Sequence, residues 1–561
     1  LQFVPPHPGR RRTVATTENG AITVAAESTE TFADLVAAED VLLFVNAAIT
    51  STGQSEFHSG AGEQSLSLAF LHDYMVGNYR DLYAATLALD VNHHNAARII
   101  GNLLVTAAEA DPGRRRAEGR LIARRLALLP PPRVYRLFHE LRRARVNNRR
   151  TRAIMRDWLA ARPDLAFDAV KYRGAVKTAF RHAHLAPGGE LGTFLFAPHR
   201  KAAYATPILE SWRQAHHRKA AIYDLPYTVA EGFAAKHGIP RAAFLERIAP
   251  RLTRLERLRV QESAHTLGAE AARADLTTMP LTRLASYVLG LPLDDRVRRR
   301  AELTEALRAA ARRTAGEQAG RWGRVAAVLD DSFSSYGSAQ KRRRPLAVAL
   351  ACDFLLEALA SRYTPLWLSG RTDSLLVRPH GATPLGERVL DALEARPERL
   401  VIVSDGWDNA PPGLAGEVLR VWRTRLDPDG ACGVVHLNPV YDAAAFDVRR
   451  LAPGVPTAGI RDAEDLVALA ELARFAEGRT GLPELRAHLA RRVAAFLGAE
   501  PPGAGELPKT AELPGTAEST ETSQSPEPSE TADPVPDEGD RTARTTGEAG
   551  ENARRTPGED A

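Results

Sequence analysis

From about Thr31 to Gly320 the apolar residues recur at intervals of three and four, and from Trp322 onward they stop doing so. Segments such as Phe32-Ala-Asp-Leu-Val-Ala-Ala, Leu66-Ser-Leu-Ala-Phe-Leu-His-Asp-Tyr-Met and Ala97-Arg-Ile-Ile-Gly-Asn-Leu-Leu-Val each carry the single apolar stripe of a helix that packs on neighbours. Pro112-Gly113, Pro130-Pro131-Pro132, Pro187-Gly188-Gly189 and Gly238-Ile239-Pro240 fall between such segments. Many helices of similar length with short breaks predict an α-helical solenoid of stacked pairs over 32–320, without a strict sequence period.

After Trp322 short apolar runs alternate with helical patterns. Strands are expected at Arg324–Leu329, Tyr363–Leu368, Ser374–Val377, Leu400–Ser404 and Cys432–Leu437. Helices are expected from about Arg343 to Ser361, Pro384 to Ala395, Gly413 to Arg425, Asp462 to Glu477 and Leu482 to Phe496. Such β-α alternation over 321–498 predicts a doubly wound parallel sheet, whose ligand lies at the C-terminal ends of the strands. The fold class is therefore α plus α/β.

Those strand ends carry oxygen chemistry. In Val325–Gly337 an apolar run stops in Asp-Asp-Ser-Phe-Ser-Ser, and Asp330, Ser332 and Ser334 occupy alternate positions. One extended segment aims all three at a point, and a carboxylate with two hydroxyls suits a hard cation such as Mg²⁺ or another divalent ion. Asp and Ser are also ordinary turn formers, so the pattern needs further oxygens from later strands. Thr383 sits on the loop expected to follow the third strand, and Asp405 follows the fourth in Val-Ser-Asp-Gly. Asp331, Ser335 and Asp408 lie nearby and read as turn or supporting residues.

Charge is distributed unevenly. Residues 501–561 contain 14 Asp/Glu and 5 Lys/Arg, a net of −9, so the overall +5 leaves +14 on the first 500 residues. A basic body suits a polyanion such as nucleic acid, although an arginine-rich source composition would produce the same count. The Pro/Glu/Thr/Ser-rich stretch 499–561 lacks apolar periodicity and reads as a disordered tail, and 1–31 as a flexible arm. Two cysteines, no apolar leader and no uninterrupted 20-residue apolar run point to a soluble protein of a reducing cytoplasm, away from membranes.

The densest cationic segment is 147–185. Arg149, Arg152 and Arg156 share a helical face, and Lys171-Tyr172-Arg173 precedes Lys177, Arg181, His182 and His184. Such residues grip phosphates while Tyr172 or a histidine stacks on an unpaired base. The same pattern also suits a solvated basic face with Tyr172 in the core. His93-His94, His182-x-His184 and His216-His217 lack the partners of a zinc site. No nucleophile elbow, Walker loop or His-Glu-x-x-His helix is present, so the expectation is that the protein is not an enzyme.

The order Arg-Ala-Ile-x-x-x-Trp (152–158), Val-Lys-Tyr-Arg (170–173) and Phe-Arg-His-x-His-Leu (180–185), with Thr278-Met-Pro-Leu-Thr-Arg-Leu, resembles the TROVE module of the Ro autoantigen family. That family builds a ring of HEAT-like repeats closed by a von Willebrand factor A domain. Asp-x-Ser-x-Ser…Thr…Asp is similar to the metal-ion-dependent adhesion site of such domains, with Asp330, Ser332, Ser334, Thr383 and Asp405 as ligands and one position open to a partner's acidic group. The resemblance covers roughly 35–498. The glycine- and tyrosine-rich opening motif of eukaryotic members is replaced by Ser51-Thr-Gly-Gln-Ser-Glu-Phe-His-Ser-Gly, so the chain looks like a divergent bacterial member. The resemblance implies a monomeric ring that binds small non-coding, Y-like RNA outside and RNA 3′ ends in its cavity. It would serve RNA quality control or processing with an exoribonuclease or RNA-repair enzyme as partner. The alternative is a protein–protein adaptor whose metal site captures an acidic residue of a partner such as an ATPase.

Overall fold

The computed structural model describes residues 32–200, 202–466 and 482–498. The expected arm (1–31), the expected tail (499–561) and most of the expected helix 462–477 lie outside the described residues.

The first region is helical, and its polar punctuation explains where each helix starts. Asn92, Asp111 and Asn148 accept backbone N–H groups at the starts of His93–Val105, Pro112–Leu128 and Arg149–Ala160. These side chains satisfy donors that the first turn leaves without partners. Thr253 and Glu256 form a reciprocal capping box before Arg254–Thr266. Prolines that read as breaks in fact open helices, as in Pro112–Leu128 and Pro131–Arg143, because the first turn needs no N–H from them. Successive helices pack on one another: His93–Val105 against Pro131–Arg143, and the latter against Arg173–His182.

The second region contains a five-stranded parallel sheet of order β2-β1-β3-β4-β7, with β1 Arg324–Leu329, β2 Arg362–Trp367, β3 Arg399–Val403, β4 Gly433–Asn438 and β7 Thr457–Gly459. A small antiparallel pair, β5 Tyr441–Asp442 and β6 Asp447–Val448, lies between β4 and β7 in the chain. Two-residue alternation along β1 divides the core. Val325, Ala327 and Leu329 share a cluster with the helix Arg344–Leu359 and the whole helical region. Ala326 and Val328 share one with Leu385–Glu394 and Leu414–Arg425. Burial on both faces explains why β1 and β3 read as continuous apolar runs.

One expected strand is absent. Ser374–Leu376 is a 3₁₀ turn, with the Asp373 carboxylate accepting the Leu375 N–H, so Asp405 follows the third strand of the chain rather than the fourth. β7 and the β5–β6 pair were not expected.

Both ends of the helical run rest on this sheet unit. At the first end, Asn46 of the helix Phe32–Thr50 donates to Asp447 Oδ1 (3.0 Å) and accepts the Gly459 N–H (3.0 Å). Gln64 donates to the Tyr441 carbonyl at 2.9 Å. At the other end, Arg296 donates to the carbonyls of Leu375 (3.2 Å) and Val377 (3.1 Å), and Thr282 Oγ1 donates to Glu464 at 2.6 Å. The helix Leu482–Gly498 returns to pack on the first helices, with Arg492 on Asp90 at 3.1 Å and Arg125 over the Phe496 ring at 4.8 Å. No helix among the described residues is long and apolar enough to cross a membrane.

Candidate functional site

The C-terminal ends of β1 and β3 are adjacent, and Asp330 N–H donates to the Val403 carbonyl at 3.0 Å. That contact places Asp330 beside Asp405. The Asp-x-Ser-x-Ser segment then turns, with Ser332 N–H on Asp330 Oδ1 at 2.8 Å and the Ser332 and Ser334 hydroxyls 3.2 Å apart. Phe333 N–H donates to the Gly381 carbonyl at 3.1 Å, which fixes the Thr383 loop against this turn. Thr383 is buried, and its N–H donates to Asn409 Oδ1 at 2.9 Å. All five expected metal ligands therefore converge on one end of the sheet, although Thr383 follows the 3₁₀ turn rather than a strand.

Electrostatics at this point favour a cation. Asp330 and Asp405 are each only 5% exposed. Burial, followed by the charge of Asp405, pushes the Asp330 carboxyl up to about 7. Burial likewise raises Asp405, opposed by the Ser334 hydroxyl, the Trp407 N–H, His58 and Arg449. Asp330 has no ion-pair partner among the described residues, so a divalent ion would relieve a desolvated pair of like charges. No group of three or more His, Cys, Asp or Glu suited to a metal occurs among the described residues, so a cation here would depend on hydroxyls as much as on carboxylates. The neighbours have supporting roles. Asp331 accepts the Ser369 N–H (2.9 Å) and hydroxyl (2.5 Å), Ser335 Oγ donates to the Ser332 carbonyl (2.7 Å), and Asp408 accepts the Ala415 N–H (2.7 Å).

A segment of the helical region lies over this site, which sequence reasoning had not placed there. Ser55 N–H donates to Gln340 Oε1 at 2.9 Å, Ser338 Oγ donates to the Ser55 carbonyl at 2.7 Å, and Glu56 pairs with Lys341. Phe57 packs edge-on against Phe333 (5.7 Å), and His58 lies 4.9 Å from the Trp407 ring. His58 Nε2 is thereby 4.0 Å from Asp405 Oδ2.

The expected RNA-contact residues divide into two groups. Lys171 pairs with Glu256 at 3.7 Å, and Tyr172 is half-buried beside Tyr135. Arg173 donates to the Phe194 carbonyl at 2.9 Å and lies over the Phe194 and Trp212 rings, where burial lowers its pKa. His182 is buried and donates to the Val146 carbonyl at 3.0 Å, and burial lowers its pKa as well. These four pack the helices together. The others face outward: Arg181, His184, Arg149 and Arg156 are exposed, Lys177 and Arg152 half-exposed. Arg156 is engaged with Asp157 at 2.8 Å.

Lys177 and Arg181 lie over the Phe196 ring, 5.9 and 5.4 Å from its centre, and Phe196 is 38% exposed. Asn147 donates to His184 Nε2 at 2.8 Å, bringing the loop after Pro131–Arg143 beside the end of Arg173–His182. Exposed Arg142, Arg143 and Arg145 thus join this corner. Their signal was visible in Arg-Arg-Ala-Arg. A second basic surface, not anticipated, is a cavity of about 330 Å³ lined by His94, Arg98, Arg133 and Arg136, with Glu140 as the one carboxylate among its lining residues. Burial and then the arginines Arg133, Arg98 and Arg136 push His94 down to about 3.

Comparison with models of known protein families and with curated proteins finds no match for this chain.

Proposed function

We propose that the chain is a non-catalytic RNA-binding protein of the TROVE/Ro type. Its helical run would be a HEAT-like ring, and the sheet unit a von Willebrand factor A domain that closes it. The observation that carries this reading is the exposed Phe196 ring flanked by Lys177 and Arg181, next to the corner of Arg142, Arg143, Arg145, Arg149 and His184. An aromatic face between cations stacks an unpaired base while the cations hold the flanking phosphates. Anchoring of both helical ends on the sheet unit supports the ring, and the arginine-lined cavity supports a second site for loose RNA 3′ ends. Small Y-like RNA in the cytoplasm, handed to an exoribonuclease or repair enzyme, is the partner set this reading implies.

The test is a gel-shift titration with small structured RNA carrying a single-stranded end. Lys177→Glu with Arg181→Glu should weaken binding at least about tenfold and reduce the salt dependence by about two phosphate contacts. Phe196→Ala should cost single-stranded affinity worth about 1–3 kcal/mol. Unchanged affinity and salt slope in both would overturn the reading.

Asp330, Ser332, Ser334, Thr383 and Asp405 would hold Mg²⁺ or another divalent cation, as in a metal-ion-dependent adhesion site. When bound, such an ion supplies a Lewis-acidic position for an acidic side chain. The adaptor reading has one observation in its favour: Phe333, in the metal-site turn, is 62% exposed. Asp330→Ala separates the two, since an adaptor loses its partner while an RNA binder keeps its RNA.

A further inference from the structure

The basic cavity is lined by two helices that pack on each other, His93–Val105 and Pro131–Arg143, and their sequences give it two kinds of wall. On the first helix His94, Arg98 and Asn102 follow at four-residue steps and form one ridge, with Ala97 and Gly101 on the next. The second helix contributes Arg133 and Arg136, three residues apart, and the apolar Leu137. Gly101 lets the helices approach closely, since a Cβ there would lie only 3.3 Å from Leu137 Cδ1. A volume of about 330 Å³ is at the small end of ligand pockets, room for one nucleotide and not for a duplex.

The charges do not balance. Arg98, Arg133 and Arg136 set three positive charges against the one carboxylate of Glu140, a net of +2 on the lining. Glu140 answers Arg136, 3.2 Å away. Arg98 is half-buried and makes no hydrogen bond or ion pair among the described residues. A guanidinium partly withdrawn from water without a partner carries a desolvation cost that a bound anion offsets. His94, held low by burial and the arginines, adds a neutral imidazole and no charge. Asn102 Nδ2 donates to the Tyr83 hydroxyl at 3.2 Å, and its Oδ1 accepts no hydrogen bond among the described residues. That oxygen suits a donor on a base or a ribose. A phosphodiester carries one negative charge wherever it lies along a strand, whereas a phosphomonoester carries about −1.5 to −2 at neutral pH. A small, doubly positive pocket therefore matches the end of a strand better than a passing backbone.

We infer that this cavity is a phosphomonoester site, in which Arg98, Arg133 and Arg136 hold the terminal phosphate of one nucleotide and Ala97, Gly101 and Leu137 take its apolar face. For the source of that nucleotide, a 3′-phosphorylated RNA end, the inference rests on the RNA-binding reading above. A free nucleoside 3′-monophosphate presents the same chemistry.

The full chain is titrated by gel shift with one RNA sequence carrying either a 3′-phosphate or a 3′-hydroxyl, a comparison that needs no variant. The phosphorylated end should bind at least about tenfold tighter. Arg98→Gln with Arg133→Gln should bring the two affinities within about twofold of each other, whereas Lys177→Glu with Arg181→Glu should weaken both and keep their ratio. Uridine 3′-monophosphate, followed by calorimetry, should bind wild type and lose at least about tenfold in affinity in Arg98→Gln with Arg133→Gln. If both RNA ends bind wild type equally tightly and the nucleotide does not bind, the phosphomonoester site falls and the RNA-binding reading stands. If the nucleotide binds in an Arg98-dependent manner and neither RNA binds, the site stands and the RNA-binding reading falls. If neither the nucleotide nor the RNA binds, both fall.

Discussion

Asn46 holds the first helical junction, and replacing it tests how that junction is built. The residue is 7% exposed and uses both ends of its amide, one toward Asp447 Oδ1 and one toward the Gly459 N–H, each at 3.0 Å. Asn46→Ala removes a donor from a buried carboxylate and an acceptor from a buried backbone N–H. Each orphaned group costs about 1–3 kcal/mol, and the charged one lies at the upper end, so the sum is about 3–5 kcal/mol. Asp447 keeps the Val448 N–H at 2.7 Å and Arg450 at 3.7 Å, which limits the loss. Asn46→Asp has the same shape and still accepts from Gly459, but sets a second carboxylate against Asp447, whose own pKa burial has pushed up to about 6. Above that pH the two charges repel, and below it the pair retains a proton. Urea unfolding of the full chain at pH 8 and pH 5 measures both effects. The Ala variant should lose several kcal/mol at both values, and the Asp variant should lose more at pH 8 than at pH 5. An Ala variant within about 0.5 kcal/mol of wild type, or an Asp variant insensitive to pH, would refute the reasoning.

Three further outcomes are expected. Gly337 has φ +69°, and a Cβ there would lie 2.4 Å from the Lys341 carbonyl, so Gly337→Ala should destabilise by about 2 kcal/mol or more and weaken Mg²⁺ binding together, read by thermal melts and titration. Asp353, buried and held by the Tyr363 hydroxyl at 2.6 Å, is pushed up to about 6, mainly by burial. Between about pH 4 and pH 6 the folded chain keeps a proton there that the unfolded chain has released, so stability falls by roughly 2–3 kcal/mol as pH rises through that window; the melting temperature of Asp353→Asn should lack this component. Without metal, Asp330→Asn should melt above wild type because one of two repelling buried carboxylates is gone. Mg²⁺ at about 100 times its dissociation constant should stabilise wild type by about 2.7 kcal/mol and leave the variant unchanged, which a melt with and without the ion decides.

The sheet and its five-residue oxygen set were legible because their information is local. Asp330, Ser332 and Ser334 come together as their spacing suggests, but through the 3₁₀ turn Phe333–Tyr336 rather than the extended segment expected, whereas continuous apolar runs mark strands covered on both faces. Ser374-Leu-Leu-Val was misread because a short apolar run does not distinguish a strand from a turn tucked under a helix. β7 went unseen because Thr457–Gly459 is three residues long and is defined by β4 and by Asn46 rather than by its own composition. Cations were legible as cations but not by their surroundings. Arg173 between Phe194 and Trp212 and Arg181 over exposed Phe196 read identically in sequence. The position of His58 depends on contacts with residues some 280 positions away, which no local pattern encodes.

Anchorage at both ends changes how the helical run comes apart. An array whose units lean only on their neighbours unravels from its free ends, where the outermost unit has one partner instead of two. Here the outermost helix at the start lies against β6, β7 and Leu482–Gly498, and those at the finish lie against Arg344–Leu359. Among the described residues the run therefore has no tip to fray.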